Sequence, residues 1–265
     1  KSIDEKSFRS LIDFQISEGI HGLVPVGTTG ESPTLSHEEH KLAVEICVEE
    51  TAKRVPVIAG TGSNNTLEAI EYTKHAESVG ADAALVVTPY YNKPTQQGLY
   101  AHFKTIADSV KIPIIIYNIP GRSVVDMSIT TMIKLSKIKN IIGVKDATND
   151  LFRPLLTAAY MNNEFCYLSG EDGTALAFLS QGGHGCISVT ANVAPKLCSE
   201  MQSLSLSGDD NKIAEAENID KKLQPLHKSL FIESNPSPVK YAAKILNLCD
   251  DAVRLPLVTV TDSTK

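Results

Sequence analysis

A strand–helix unit recurs along most of this sequence, and the repetition limits the folds that the chain can adopt. Short apolar runs rich in β-branched residues alternate with longer segments whose apolar residues recur at helical spacing. Seven such runs, at intervals of roughly 20–35 residues, are predicted as strands: 22–27, 55–60, 83–91, 113–118, 141–148, 165–169 and 185–189. Strands that are apolar on both faces and alternate with helices predict a parallel sheet.

Two architectures contain such units, a doubly wound open sheet and a (β/α)8 barrel. Polar residues follow strand after strand in this chain. A barrel mouth would collect all of them in one pocket, whereas an open sheet uses only those at its switch point. The polar residues that follow the predicted strands are Thr28-Thr29, Thr61, Thr88–Tyr91, Tyr117-Asn118, Lys145-Asp146, Gly170–Asp172 and Thr190–Asn192. We therefore predict an α/β protein with a catalytic (β/α)8 barrel over residues 1–193, whose first strand would precede Lys1.

The pattern changes near residue 194, where the predicted strands end. Helical spacing continues over 195–206, 210–231 and 237–247. Residues 194–265 are therefore predicted to form a C-terminal helical extension of the barrel.

Charge and composition narrow the classes of partner. The net charge of −6 and the absence of a basic run argue against a nucleic-acid groove or an anionic membrane surface. The longest apolar stretches have the length of a strand, so we expect no membrane span. Five widely spaced cysteines without a C-x-x-C motif predict free thiols in a reducing compartment, and hence a cytoplasmic protein. No spacing of histidines and carboxylates predicts a metal site.

Lys145 is anomalous because it lies near the end of an apolar predicted strand. Burial disfavours the charged ammonium form, and a neutral amine can attack a carbonyl carbon. Two other interpretations stay open here: the side chain extends to the solvent at the strand end, or it pairs with Asp146. Tyr117 closes the preceding predicted strand, where its phenol could transfer protons to and from reacting groups or simply contribute to packing.

Four motifs together resemble one family over essentially the whole chain. They are Gly27-Thr28-Thr29-Gly30-Glu31, Thr88-Pro89-Tyr90-Tyr91-Asn92, Tyr117-Asn118-Ile119-Pro120-Gly121-Arg122 and Gly143-Val144-Lys145-Asp146. The family is that of the dihydrodipicolinate synthases, which are pyruvate-dependent class I aldolases. These enzymes are (β/α)8 barrels with a helical carboxyl-terminal extension, which is the architecture predicted above.

The resemblance implies catalytic roles for Lys145, Tyr117, Thr28 and Tyr91. Lys145 would form a Schiff base with pyruvate, and Tyr117 would relay protons, linked through Thr28 to Tyr91. In the family that last tyrosine enters from a neighbouring subunit, so the resemblance implies a homotetramer built from tight dimers. It implies no metal and no organic cofactor.

The resemblance also implies residues that bind the substrates. Thr28 and Thr29 can offer hydroxyl and backbone N–H groups to the carboxylate of pyruvate, and Arg122 would hold the carboxylate of aspartate semialdehyde. The remaining positions that match the lining of the pocket are Gly170, Glu171 and Ile187. The family commonly has aspartate where this chain has Glu171.

The same resemblance implies feedback inhibition by lysine, with matching positions at Ser32, Pro33, His37, His40, Asn64, Glu68 and Tyr90. Pro33 stands where well-known inhibited members have alanine. Two other functions stay open at this point. The chain could be another pyruvate aldolase, such as a sialic-acid or keto-deoxy-sugar lyase, although sialic-acid lyases generally lack the equivalent of Arg122. It could also be a non-catalytic sensor or scaffold that binds 2-oxo acids.

Overall fold

The computed structural model describes residues 2–161 and 164–265. Backbone contacts divide them into two compact units. The first, which we call the sheet unit, is Ile58–Ile187. The second, which we call the helical unit, comprises the chain up to Val57 together with Ser188–Lys265.

The sheet unit contains a parallel sheet of six strands in sequential order. The strands are β1 Ile58–Gly60, β2 Ala83–Val87, β3 Ile114–Asn118, β4 Ile141–Asp146, β5 Cys166–Ser169 and β6 Gly185–Cys186. A doubly wound sheet reverses its strand order at a switch point. These six strands show no such reversal, so the sheet has the sequential order that a barrel requires. The predicted α/β class with a parallel sheet is confirmed.

Helices separate the strands and cover the sheet. In chain order the sheet unit has α3 Thr66–Ser78, α4 Gln96–Asp108, α5 Pro120–Ser123, α6 Ile129–Leu135, α7 Phe152–Ala158 and α8 Ala175–Ser180. One face of α4 is buried, since Leu99, Phe103 and Ile106 are all inaccessible to solvent. They pack in one core with Ile114 and Ile116 of β3. Burial of such side chains supplies the main driving force for folding.

The helical unit contains α1 Glu5–Ser17, α2 His37–Thr51, α9 Pro195–Ser205, α10 Asp210–Ser229 and α11 Ser237–Ile245. The last three agree with the helices predicted after residue 194. A capping box begins α2, where the Ser36 hydroxyl accepts from the Glu39 backbone N–H and the Glu39 carboxylate accepts from the Ser36 backbone N–H. Across the described residues, every helix is too short or too polar to cross a bilayer.

The strand predicted over 22–27 was wrong. Only Leu23 pairs, through one parallel bridge to Val57. Pro25 has no N–H for a ladder hydrogen bond, and Val26 has a φ of 50°, which is far from an extended backbone. Helical spacing after the predicted strand 141–148 predicts a helix over about 151–162, whereas α7 covers Phe152–Ala158. Residue 162 itself lies outside the described residues.

Candidate active site

Lys145 and Tyr117 are direct partners across β4 and β3. Lys145 is only 9% exposed and Tyr117 only 6%. The lysine Nζ lies 4.1 Å from the centroid of the tyrosine ring. The electron-rich face of an aromatic ring attracts the ammonium form of a lysine at this distance. The structure therefore brings together the two residues that the sequence placed at the ends of neighbouring strands.

Asp146 does not neutralise Lys145. Its carboxylate accepts from Arg153 Nε at 3.1 Å and from the Thr148 hydroxyl and backbone N–H at 2.6 and 2.9 Å. Within residues 2–161 and 164–265 no salt bridge includes Lys145. The sequence left open a Lys145–Asp146 pair, and the structure gives Asp146 other partners instead.

Arg153 is the centre of a polar network that sequence reasoning missed. Besides Asp146, its guanidinium contacts the Asp126 carboxylate at 3.0 Å and donates to the Met127 carbonyl at 2.7 Å. Asn118, at the end of β3, donates to the other oxygen of Asp126 and accepts from the Met127 N–H. The network therefore ties the ends of β3 and β4 together directly beyond the Tyr117–Lys145 pair.

Gly170 provides room for the Lys145 side chain. A Cβ at this position would lie 2.6 Å from Ala147 Cβ and 3.1 Å from Lys145 Cε. The backbone N–H of Gly170 donates to the Asp146 carbonyl, so the glycine cannot move away easily. Any side chain here would displace the lysine stem or the backbone of Ala147.

Glu171 follows Gly170 and is half-buried. Burial raises the pKa of its carboxyl above the ordinary value, and the negative charge of Asp172 raises it further. The positive charges of Lys145 and Arg122 lower the pKa of the same carboxyl without reversing the shift. Glu171 is thus placed where the charges of both residues act on it.

Arg122 lies in α5, directly after β3, and its side chain is exposed. The turn that carries it is anchored by Ser123, whose buried hydroxyl donates to the Ile119 carbonyl and accepts from Thr88 Oγ1. Ile187 follows β6, where its N–H donates to the Ser169 carbonyl. Arg122, Gly170, Glu171 and Ile187 thus all follow the carboxyl ends of strands in the sheet unit.

Tyr91 lies at the surface of the single chain, with 88% of its area exposed and a φ of 73°. A tyrosine with a positive φ is strained and needs its surroundings to hold it. Within this chain the structure does not bury Tyr91 against Tyr117. Its role through a neighbouring subunit stays a prediction.

In the helical unit, Thr28 and Thr29 lie in a tight turn. The Thr29 hydroxyl accepts from Asn235 Nδ2 at 3.0 Å. Glu31 has a φ of 56°, and its N–H donates to the Thr28 carbonyl. Both threonines are half-buried.

Three of the residues implied in lysine binding gather around Ser63 in the sheet unit. Its hydroxyl donates to Glu68 in a very short contact, and Asn92 donates to the Asn64 carbonyl at 2.9 Å. Burial and the charge of Glu68 raise the pKa of Tyr90, whereas hydrogen bonds with Asn64 and Ser63 lower it. Asn64, Glu68 and Tyr90 therefore interact with one another or with Ser63.

The other four implied residues belong to the helical unit. Ser32 and Pro33 begin the 3-10 helix Ser32–Thr34, and His37 is the exposed first residue of α2. His40, one turn later, is only 3% exposed. Across the part of the chain that the structure describes, no group of three or more histidines, cysteines or carboxylates is arranged to hold a metal ion.

Comparisons with known proteins agree on one family. The profile of the dihydrodipicolinate synthetase family matches residues 1–265. The chain is 61% identical over 263 residues to the 4-hydroxy-tetrahydrodipicolinate synthase of Rhodospirillum centenum, which covers 99% of this chain and 89% of that protein.

Solved structures give the same result. The dihydrodipicolinate synthase of Acinetobacter baumannii, solved with pyruvate, superposes with a TM-score of 0.95 at 46% identity, covering 99% of this chain and 89% of that one. The synthase of Cyanidioschyzon merolae, solved with lysine bound, has a TM-score of 0.94 at 36% identity, covering 98% and 88%.

Proposed function

The chain belongs to the dihydrodipicolinate synthetase family, and we propose that it condenses pyruvate with L-aspartate 4-semialdehyde through a Schiff base on Lys145. Its activity is that of a 4-hydroxy-tetrahydrodipicolinate synthase, a lyase of lysine and diaminopimelate biosynthesis. The observation that carries the proposed mechanism is the environment of Lys145. The amine is buried over the Tyr117 ring and opposite Gly170, and Asp146 is committed to Arg153.

The reaction begins when the neutral Lys145 amine attacks the keto carbon of pyruvate. Loss of water then gives an iminium ion, which withdraws electrons from the adjacent methyl group. A methyl proton leaves to give an enamine, and the enamine carbon attacks the aldehyde carbon of the second substrate. The amine of that substrate finally displaces Lys145, which closes the ring and frees the enzyme. The protein lysine supplies the electrophilic catalysis, so this proposal requires neither a metal nor an organic cofactor.

Tyr117 transfers protons during these steps. Formation of the carbinolamine, loss of water and formation of the enamine each move a proton to or from a reacting group. Tyr117 is buried beside Lys145, which supports this role. Thr28 extends the relay towards Tyr91, which acts from a neighbouring subunit.

Two further groups hold the carboxylates of the substrates. Thr28 and Thr29 offer donors to the carboxylate of pyruvate from their tight turn. Arg122 offers a guanidinium fork to the carboxylate of aspartate semialdehyde. Gly170, Glu171 and Ile187 line the remaining part of the pocket. Arg122 is exposed and directly follows the carboxyl end of β3, which supports its proposed binding of the semialdehyde carboxylate.

The proposal includes a homotetramer of tight dimers, in which the exposed Tyr91 is covered by a partner. It also includes inhibition by lysine at Ser32, Pro33, His37, His40, Asn64, Glu68 and Tyr90. The proposal assigns residues 1–193 to a catalytic barrel of the (β/α)8 type and residues 194–265 to its helical extension. We place the protein in the cytoplasm, which the five free thiols support.

Reduction with borohydride in the presence of pyruvate tests the mechanism. We expect intact mass to show one pyruvate-derived adduct, and peptide mapping to place it on Lys145. Lys145→Arg keeps a positive charge but cannot form the imine, so it should give no adduct. A folded wild-type protein that forms no adduct, or forms it on another lysine, would overturn the proposal.

A further inference from the structure

The carboxylate of Glu31 joins the turn containing Thr28 and Thr29 to the C-terminal part of the helical unit. Its Oε2 lies 2.9 Å from the Nζ of Lys240 on α11, and its Oε1 accepts from the Arg254 backbone N–H at 3.1 Å. The Glu31 side chain is 14% exposed and that of Lys240 25%. Partial burial makes such a pair stronger and less sensitive to salt than an exposed one.

Lys240 and Arg254 are themselves held in place. Lys240 Nζ also donates to the Ala252 carbonyl at 2.5 Å. The Arg254 guanidinium forms two hydrogen bonds to the Glu39 carboxylate, at 2.5 and 2.6 Å, and donates to the Thr34 carbonyl at 3.0 Å. A two-point arginine–carboxylate contact fixes geometry as well as charge. The segment that follows α11 is thus held at Ala252 by Lys240, and at Arg254 by Glu31, Thr34 and Glu39.

The turn needs such support because its backbone is strained. Val26 and Glu31 both have positive φ values, 50° and 56°. Between them, a Cβ on Gly30 would lie 3.1 Å from the Val26 backbone, so the chain is packed tightly against itself. Strained backbone of this kind persists only where the surrounding contacts over-determine it.

A second contact reaches the turn from the same part of the chain. Asn235, which is 5% exposed, donates from Nδ2 to the Thr29 hydroxyl at 3.0 Å. That hydroxyl is thereby oriented by a residue two positions before α11. Both anchors of the turn, at Thr29 and at Glu31, come from residues more than 200 positions away in the sequence.

We propose that Lys240 and Glu31 are positioning residues for the 2-oxo acid, because their ion pair holds the Thr28–Thr29 turn in the conformation that binds the pyruvate carboxylate. This inference rests on the proposed function, in which those threonines bind pyruvate. It assigns a role in substrate binding to the C-terminal segment of the chain. The pair does not touch the reacting atoms, so its removal should weaken pyruvate binding more than it slows the later steps.

The test compares Glu31→Gln and Lys240→Met, alone and together, with a control on the same helix. Lys244→Met removes a different ion pair of α11, in which Nζ lies 2.7 Å from Asp251 and which does not include the turn. The readout is the pyruvate concentration that half-saturates borohydride trapping on Lys145. The thermal unfolding midpoint and kcat at saturating pyruvate are measured in parallel.

We expect each single variant to raise the half-saturating pyruvate concentration by about 10- to 100-fold, the range for a hydrogen bond to a charged group. The double variant should be little worse than either single one, because the two changes remove the same contact. Lys240→Arg should recover most of the loss, and Lys244→Met should stay within about twofold of the wild type.

The outcomes separate the two proposals. If the wild type traps no pyruvate, the proposed function and this inference both fail. If the wild type traps pyruvate and Lys240→Met has a lower unfolding midpoint with an unchanged pyruvate dependence, the pair is only structural and the inference alone fails. If Lys240→Met does not fold, the same two quantities are compared between the wild type and Glu31→Gln, which preserves the size of the side chain.

Discussion

The Nζ of Lys145 lies 4.1 Å from the centroid of the Tyr117 ring, and the two residues are register partners on adjacent parallel strands. This arrangement gives the tyrosine two separate properties. Its ring face attracts the ammonium form of Lys145, whereas its hydroxyl is the group that can exchange protons. The two properties can be separated by experiment.

Tyr117→Phe keeps the ring and removes the hydroxyl. We expect kcat to fall by about 10²- to 10⁴-fold, the usual contribution of a positioned acid–base group. Lys145 should still be trapped by borohydride when incubation with pyruvate is long. Tyr100→Phe on α4 removes a hydroxyl outside the site and should leave kcat unchanged. An unaltered kcat in Tyr117→Phe would exclude the hydroxyl from the proton transfers.

Gly170→Ala tests the space reserved for the lysine stem. The added methyl would meet Ala147 Cβ at 2.6 Å and Lys145 Cε at 3.1 Å. We expect kcat/KM to fall by at least about 100-fold, since a small displacement of a reacting group is costly. Adding Ala147→Gly removes the closer contact and should restore part of the activity. Full activity in Gly170→Ala would show that the lysine stem has more room than the distances allow.

The sequence predicted much of the sheet unit because its signals are local. Apolar runs and helical spacing located the six strands, and their sequential order was predicted from the polar residues that follow strand after strand, which favoured a barrel over an open sheet. The neighbouring positions of Tyr117 and Lys145 followed from the same argument, since both end consecutive strands. The capping box at Ser36 and Glu39 is a local signal of the same kind, because its partners are three residues apart.

Contacts between distant parts of the chain were missed. Arg153 lies in α7, and nothing in its local sequence indicates that it contacts both Asp126 and Asp146. The ion pair of Glu31 with Lys240 joins residues that are 209 positions apart. The strand predicted over 22–27 was wrong although its signal was local. The run is apolar, but Pro25 and the positive φ of Val26 prevent a ladder of strand hydrogen bonds.

Arg153→Met tests whether the missed network stabilises the fold. The Arg153 side chain is 11% exposed, and the substitution leaves the buried Asp146 carboxylate without its guanidinium partner. Breaking a buried ion pair costs about 3–5 kcal/mol of unfolding free energy. Lys104→Met removes an exposed pair with Asp108 and should cost less than about 1 kcal/mol. Urea denaturation measures the loss of unfolding free energy in both variants. Equal losses would show that the Arg153 network stabilises the fold no more than an exposed ion pair does.

His102 makes the stability of the protein depend on pH. The side chain, on α4, is 6% exposed and its ring packs edge-on against Phe103. Its Nδ1 lies 2.9 Å from the Thr66 hydroxyl. Burial lowers the pKa of His102 from its ordinary value of 6.5 to about 4. The folded protein therefore keeps this imidazole neutral at pH values where the unfolded chain already binds a proton.

The sign of the effect follows from linkage. Above pH 6.5 both states are neutral at His102 and stability is unaffected, whereas between pH 6.5 and about 4 the unfolded state gains a proton that the folded state does not. The wild type should therefore lose up to about 3 kcal/mol of unfolding free energy over this interval through this residue. His102→Gln cannot titrate and should lose less, whereas His21→Gln at an exposed position should match the wild type. Urea denaturation at pH 7, 5.5 and 4.5 measures how the unfolding free energy of the three proteins changes with pH. Equal changes in the wild type and His102→Gln would show that the histidine is protonated equally in the folded and unfolded states.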